Sequence, residues 1–75
     1  MERDFGPQPI DGKMNKHNLT NHDLVSASTE QLTHKVVGKA RRGKWLTMNA
    51  RHKVTAAYNA ATGENLAIQD LFNYY

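Results

Sequence analysis

The chain has 75 residues, no cysteine, and a formal net charge of +3 from ten Lys and Arg against seven Asp and Glu. That length allows one small domain, and the lack of cysteine excludes a disulfide framework and any thiol-based metal or redox site. A chain this short buries a small share of its surface, so apolar packing alone, or a second chain, must complete the core.

Met1-Glu2-Arg3-Asp4 is mixed in charge and no apolar run follows it. Neither a secretory leader nor a membrane span is expected, and the assignment is cytoplasmic. Residues 1–18 carry Gly6, Pro7, Pro9 and Gly12 among few apolar side chains. They read as a flexible or extended arm, with Phe5 and Ile10 as the groups that would order on a partner.

The expected fold is all-α: a small bundle of three to four short helices spanning residues 19–75 behind that arm. Thr20 followed by Asp23 has the spacing of a reciprocal cap, and Leu19 and Leu24 fall at hydrophobic-staple positions. A short helix over about Asn21–Ala27 is predicted. Ser28 and Gln31 repeat the capping pattern, so a second helix is predicted over about Thr29–Arg42, with Gly43 as its left-handed stop. Its apolar side is Leu32, Thr33, Val36, Val37 and Ala40, and its remaining surface is basic.

Gly43-Lys44-Trp45-Leu46 forms a connector. Thr47 or Asn49 caps a third helix that runs to about Ala61, with Gly63 as its stop. The predicted apolar stripe of this helix is Leu46, Ala50, Val54, Ala57, Tyr58 and Ala61. Asn49, Arg51, His52, Thr55 and Asn59 face the other way, with Lys53 at the edge. Asn65 then caps a final helix over about Leu66–Asn73, for which an extended tail is the alternative because Phe72, Tyr74 and Tyr75 favour β conformations. The predicted core is Leu24, Leu32, Val36, Val37, Leu46, Val54, Ala57, Tyr58, Leu66, Ile68, Leu71 and Phe72, with Trp45 also placed in it.

Catalytic chemistry finds little support. Ser26 and Ser28 read as helix-end residues, and Asp23 and Glu30 as capping or first-turn acids. His17 and His22 are five residues apart, which does not put two ligands on one helical face; His34 and His52 lie among cations on different helices. Neither a phosphate-loop pattern nor a metal-ligand pattern appears, and no cofactor is implied. The chain reads as a non-enzyme.

Charge is where the sequence speaks. Lys35, Lys39, Arg41, Arg42, Lys44, Arg51 and Lys53 all lie between Gln31 and Gly63, a segment without one acid. Outside it, three basic residues against seven acidic leave −4. Solvated helix faces usually mix signs, whereas a field of one sign attracts a polyanion. The candidate partner is therefore DNA or RNA, with an acidic protein surface as the alternative. Candidate contacts are Lys35, Lys39, Arg41, Arg42, Lys44, Trp45, Asn49, Arg51, His52 and Lys53. In this reading Asn49, Arg51, His52, Thr55 and Asn59 face a groove, with Asn and Arg able to read base edges, Lys35, Lys39, Arg42 and Lys44 hold phosphates, and Trp45 stacks on a base if it is not core.

An ordinary helix-turn-helix fits poorly. With Gly43 as the turn, Lys39 stands where a small residue belongs, and Leu46 and Asn49 stand where two apolar residues belong. The apolar, aromatic tail opens a second route: a homodimer, or a protein partner engaged through Phe72, Tyr74 and Tyr75, as an inhibitor or adaptor docked on a larger machine would use.

Overall fold

Pro9 opens a helix. The computed structural model describes residues 4–74, and Tyr75, named above as part of the tail, lies outside them. Five helices follow one another: α1 (Pro9–Lys16), α2 (Asn21–Ala27), α3 (His34–Arg42), α4 (Met48–Thr62) and α5 (Ile68–Leu71). The all-α expectation holds, and the described residues include no strand beyond an isolated antiparallel bridge between Asp4 and Lys44. None of the helices among these residues is long and apolar enough to cross a membrane.

Residues 1–3 of the arm expected over residues 1–18 lie outside the described residues, and within the rest α1 stands where a flexible segment was expected. Proline suits the first position of a helix, where its missing N–H would have no partner anyway. Asp11 in the first turn and Lys13 and Lys16 in the last complement the helix dipole. Ile10 and Met14, four residues apart, are both fully buried. Asn18 then adopts the left-handed conformation at φ 57°. There the Leu19 amide donates to Met14 O (2.8 Å) and the Asn18 amide to Asn15 O (3.1 Å), a Schellman closure with asparagine in the glycine position.

The α2 helix has its predicted limits. The Thr20 amide donates to Asp23 Oδ2 (2.7 Å) and the Asp23 amide to Thr20 Oγ1 (3.3 Å), and Leu24 is buried beneath them. The second predicted helix starts five residues later than expected. Ser28 ends α2 instead, its hydroxyl holding the Glu30 amide (3.1 Å) in a local turn, and Thr33 caps α3 through the Val36 amide (3.2 Å). Thr47 caps α4, as one of the two predicted choices, by accepting from the Ala50 amide (3.1 Å).

The final helix is a single turn whose start is held by Asp70 Oδ2, which accepts from the Ala67 amide (2.8 Å), rather than by Asn65. Beyond it the chain is extended, with Phe72 at φ −129° and ψ 138°. Alternation then puts Phe72 and Tyr74 inside and Asn73 outside. Both aromatics are thus core residues of their own chain. This removes Phe72 and Tyr74 as a dimer or partner surface.

Packing follows from these elements. Helix α2 lies against α3 and α4, α1 against α3 and α5, and α4 also against α3 and α5. The core comprises Ile10, Met14, Leu24, Leu32, Val37, Ala40, Leu46, Val54, Ala57, Tyr58, Leu71, Phe72 and Tyr74. Val36, Leu66 and Ile68 are half-buried against it. At the edge of α4, Glu64 Oε1 accepts from the Tyr58 hydroxyl (2.8 Å) and lies 3.0 Å from His17 Nε2, tying the end of α1 to the start of the α5 connector.

Two predictions test this architecture. Gly43 ends α3 at φ 86°, and a Cβ there would fall on the Gly6 carbonyl. Gly43→Ala is expected to lose more than about 2 kcal/mol, because the left-handed conformation alone costs a residue with a Cβ about 1–2 kcal/mol and the clash adds to it. Gly63→Ala shares a φ of 76° with open space around the added atom, so it should lose only that first part; urea titration of both variants makes the comparison. Burial, and then the Glu64 hydrogen bond, push the Tyr58 hydroxyl up to about 12. A raised value in the folded state means stability that is present below the unfolded value near 10 and is lost as pH rises from there toward 12. Tyr58→Phe should therefore flatten the fall of melting temperature over that interval.

Candidate functional site

The connector between α3 and α4 is held from below by the end of the chain. The Tyr74 hydroxyl donates to Lys44 O (3.1 Å) and accepts from the Leu46 amide (3.1 Å). Arg51 Nε donates to Leu46 O (3.2 Å) and its Nη1 to Tyr74 O (2.6 Å), while its guanidinium carbon sits 4.8 Å from the centre of the Tyr74 ring. Phe5 stacks on the same ring at 4.2 Å, and its amide donates to Gly43 O (2.8 Å). Burial raises the Tyr74 hydroxyl above its ordinary value, which keeps it a donor.

Both backbone neighbours of Trp45 are thereby fixed, and the indole is left outside, 44% exposed. That overturns its placement in the core. Arg51 is the reverse case. It was expected on the open side of α4 and is 4% exposed, with Thr55 beside it at 7% and donating to Arg51 O (2.8 Å). The pattern that marks this was available: Arg51, Val54, Thr55 and Tyr58 stand at helical spacing on one side of α4. Asn59 is also occupied, since its side-chain amide bonds both the amide and the carbonyl of Leu66 (3.0 Å each).

Two more of the seven cations have partners from the N-terminal segment. Arg41 donates to Asp11 Oδ1 (2.6 Å), Asn21 Oδ1 (2.9 Å) and Asn15 Oδ1 (2.9 Å), and so joins α1, α2 and α3. It is a structural residue, which corrects its place among the partner contacts. Lys44 Nζ lies 3.2 Å from Asp4 Oδ2. The Gly6 amide, and after it Lys44, hold the Asp4 carboxyl below its ordinary range. An exposed pair of this kind is weak and exchangeable, so Lys44 stays a candidate with its charge partly offset.

A smaller set stays exposed. Lys35 and Arg42 lie on one side of α3, with the half-buried Lys39 between them at spacings of four and three, leading toward Trp45. On α4, Asn49 and His52 are exposed and Lys53 is half-buried. Lys35, Arg42 and Lys53 make no ion pair among the described residues.

Two features were missed. Met48, at the first position of α4, is 47% exposed, and Phe5, stacked on the Tyr74 ring, is exposed as well. Met48 lies off the predicted stripe of its helix, which was the available signal. His22 and His34 approach to 3.3 Å from α2 and α3, a pairing across 12 residues that no local pattern announces. Compared with known protein families, curated proteins and solved structures, the chain shows no match.

The tie beneath Trp45 can be tested directly. Tyr74→Phe leaves the buried Leu46 amide without its acceptor, and a loss of about 1–3 kcal/mol is expected. Because the same bond fixes the connector, the steady-state anisotropy of Trp45 emission should fall in this variant while the far-UV helix signal persists.

Proposed function

We propose that the protein is a small, non-catalytic nucleic-acid-binding protein, with a regulatory or architectural role. The observation that carries the reading is the stripe Lys35, Lys39 and Arg42 ending beside an exposed tryptophan, within a segment that has no acid of its own. Cations in such an array replace condensed counterions along a phosphate chain, and release of those ions drives association. Lys53 and the exchangeable Lys44 extend the field beyond the stripe. A non-catalytic role is supported by the employment of the acids: Asp11 holds Arg41, Asp23 caps α2, and Glu64 accepts from Tyr58.

One observation favours a second reading, docking on an acidic protein surface. Met48, three residues after Trp45, and Phe5, stacked on the Tyr74 ring, add exposed apolar area, and aromatic and Met side chains are enriched at protein interfaces.

A mobility-shift titration at two salt concentrations separates the two readings. Contacts from Lys35, Lys39, Arg42 and Lys53 should give a log–log salt slope of about −3.6 on a duplex or about −2.8 on a single strand. The triple variant Lys35→Gln, Arg42→Gln, Lys53→Gln should lose retention with its helix signal intact. Arg41 is left in place because its change would disturb the fold. No shift at low salt would move the assignment to the protein partner.

A further inference from the structure

We infer that Trp45 is a stacking platform for an unpaired base, so that the nucleic acid this protein prefers is single-stranded; this rests on the nucleic-acid reading above. Three observations converge on it.

The first is presentation. A flexible exposed tryptophan would lose much of its stacking energy to ordering, but here the carbonyl before the indole residue and the amide after it both bond one buried hydroxyl. The ring is held out by a rigid base. Every nucleobase offers a π face, so such a ring accepts any sequence.

The second is what α4 no longer offers. Reading a duplex through its major groove requires side chains that reach base edges in pairs of bonds, arginine above all. Arg51 was the one arginine of α4, and it is buried under the connector with Thr55 beside it. The exposed residues of α4 are Met48, Asn49, His52, Ala56 and Ala60, three of the five apolar and none an arginine. The helix is a poor groove reader. In a duplex, moreover, both faces of each base are already stacked, and wedging a side chain between steps costs a few kcal/mol that only an extensive bent interface offsets.

The third is the arrangement of charge. Arg42 lies three residues before Trp45, and Lys44 directly precedes it with an exposed carboxylate partner that a phosphate can replace. Lys35 and Lys39 continue the line along α3. A strand laid along this line would put phosphates on the cations and one base on the indole, with Met48 extending the apolar floor. An acidic protein surface would use the same cations, but it would stack on Trp45 only where it presents an aromatic side chain of its own, whereas every unpaired base brings a π face.

Trp45 is the sole tryptophan, so the test reads one residue. Oligothymidylate, oligouridylate and a hairpin duplex of matched charge, closed by a non-nucleotide linker so that it has no unpaired base, are titrated at low salt, following both Trp45 emission and the anisotropy of labelled strands. The expected result is quenching by a single strand, with at least tenfold tighter binding than to the hairpin. Trp45→Ala should weaken single-strand binding about tenfold or more while leaving hairpin binding unchanged, and Trp45→Phe should restore most of it. Because the indole is exposed, both variants should keep the helix signal of the parent. Equal affinity for strand and hairpin, without quenching and without an effect of Trp45→Ala, overturns the stacking inference and leaves nucleic-acid binding standing. Absence of binding to all three probes at low salt overturns both.

Discussion

A buried guanidinium that makes no ion pair among the described residues organises one end of this molecule. Arg51 replaces its lost water with two carbonyl oxygens, Leu46 O and Tyr74 O, and with the face of the Tyr74 ring. Desolvating a charge is costly unless its donors are met, and among the described residues no buried side-chain polar atom is left without a partner. The arrangement needs an extended tail, because only alternation brings both the ring and the carbonyl of Tyr74 to α4. It needs the connector close by, because Leu46 O is the other acceptor. The Tyr74 hydroxyl then bonds the connector on both sides of Trp45. Tail, connector and indole are consequences of one buried charge.

The N-terminal segment does for charge what the tail does for the connector. Asp11 on α1 meets Arg41, and Asp4 beyond the Gly6 turn meets Lys44. Two acids from outside the acid-free stretch thus balance two of its cations, both at the C-terminal end of α3, where positive charges already face the negative end of the helix dipole. The same contact makes glycine necessary at position 43, since the Gly6 carbonyl occupies the place of a Cβ. Charge density in the sequence therefore overstates the field outside. The field that survives is carried along α3 and on the near side of α4, not by the whole block.

Legibility followed the range of the interactions. The caps of α2 and α4 and the glycine stops of α3 and α4 are local, a few residues wide, and they were readable from spacing alone. The α1 helix was not, because a proline, a glycine and two apolar residues four apart look like a loop until α3 and α5 supply something to pack against. The tail was legible only as an alternative, since its aromatic residues suit a helix and an extended chain about equally. Among the site residues, Lys35, Arg42, Asn49 and His52 are as exposed as expected. Arg41 and Arg51 are not, because their partners come from α1, α2 and the last described residue, at separations no wheel displays.

The exchange between Trp45 and Arg51 is the point at which the fold departs from ordinary preference. Tryptophan is highly buried on average and arginine almost never fully buried. At 44% exposure Trp45 forgoes on the order of 2–3 kcal/mol of apolar burial, a large amount for a domain whose whole stability is expected near 5–15 kcal/mol. A small protein optimised for stability alone would turn the indole inward and the guanidinium outward. Both inversions occur at one connector, and the second enforces the first through Tyr74. Local rules broken together, with the structural means to keep them broken, are what a contact surface at Trp45, as proposed, would account for, and net charge alone would not.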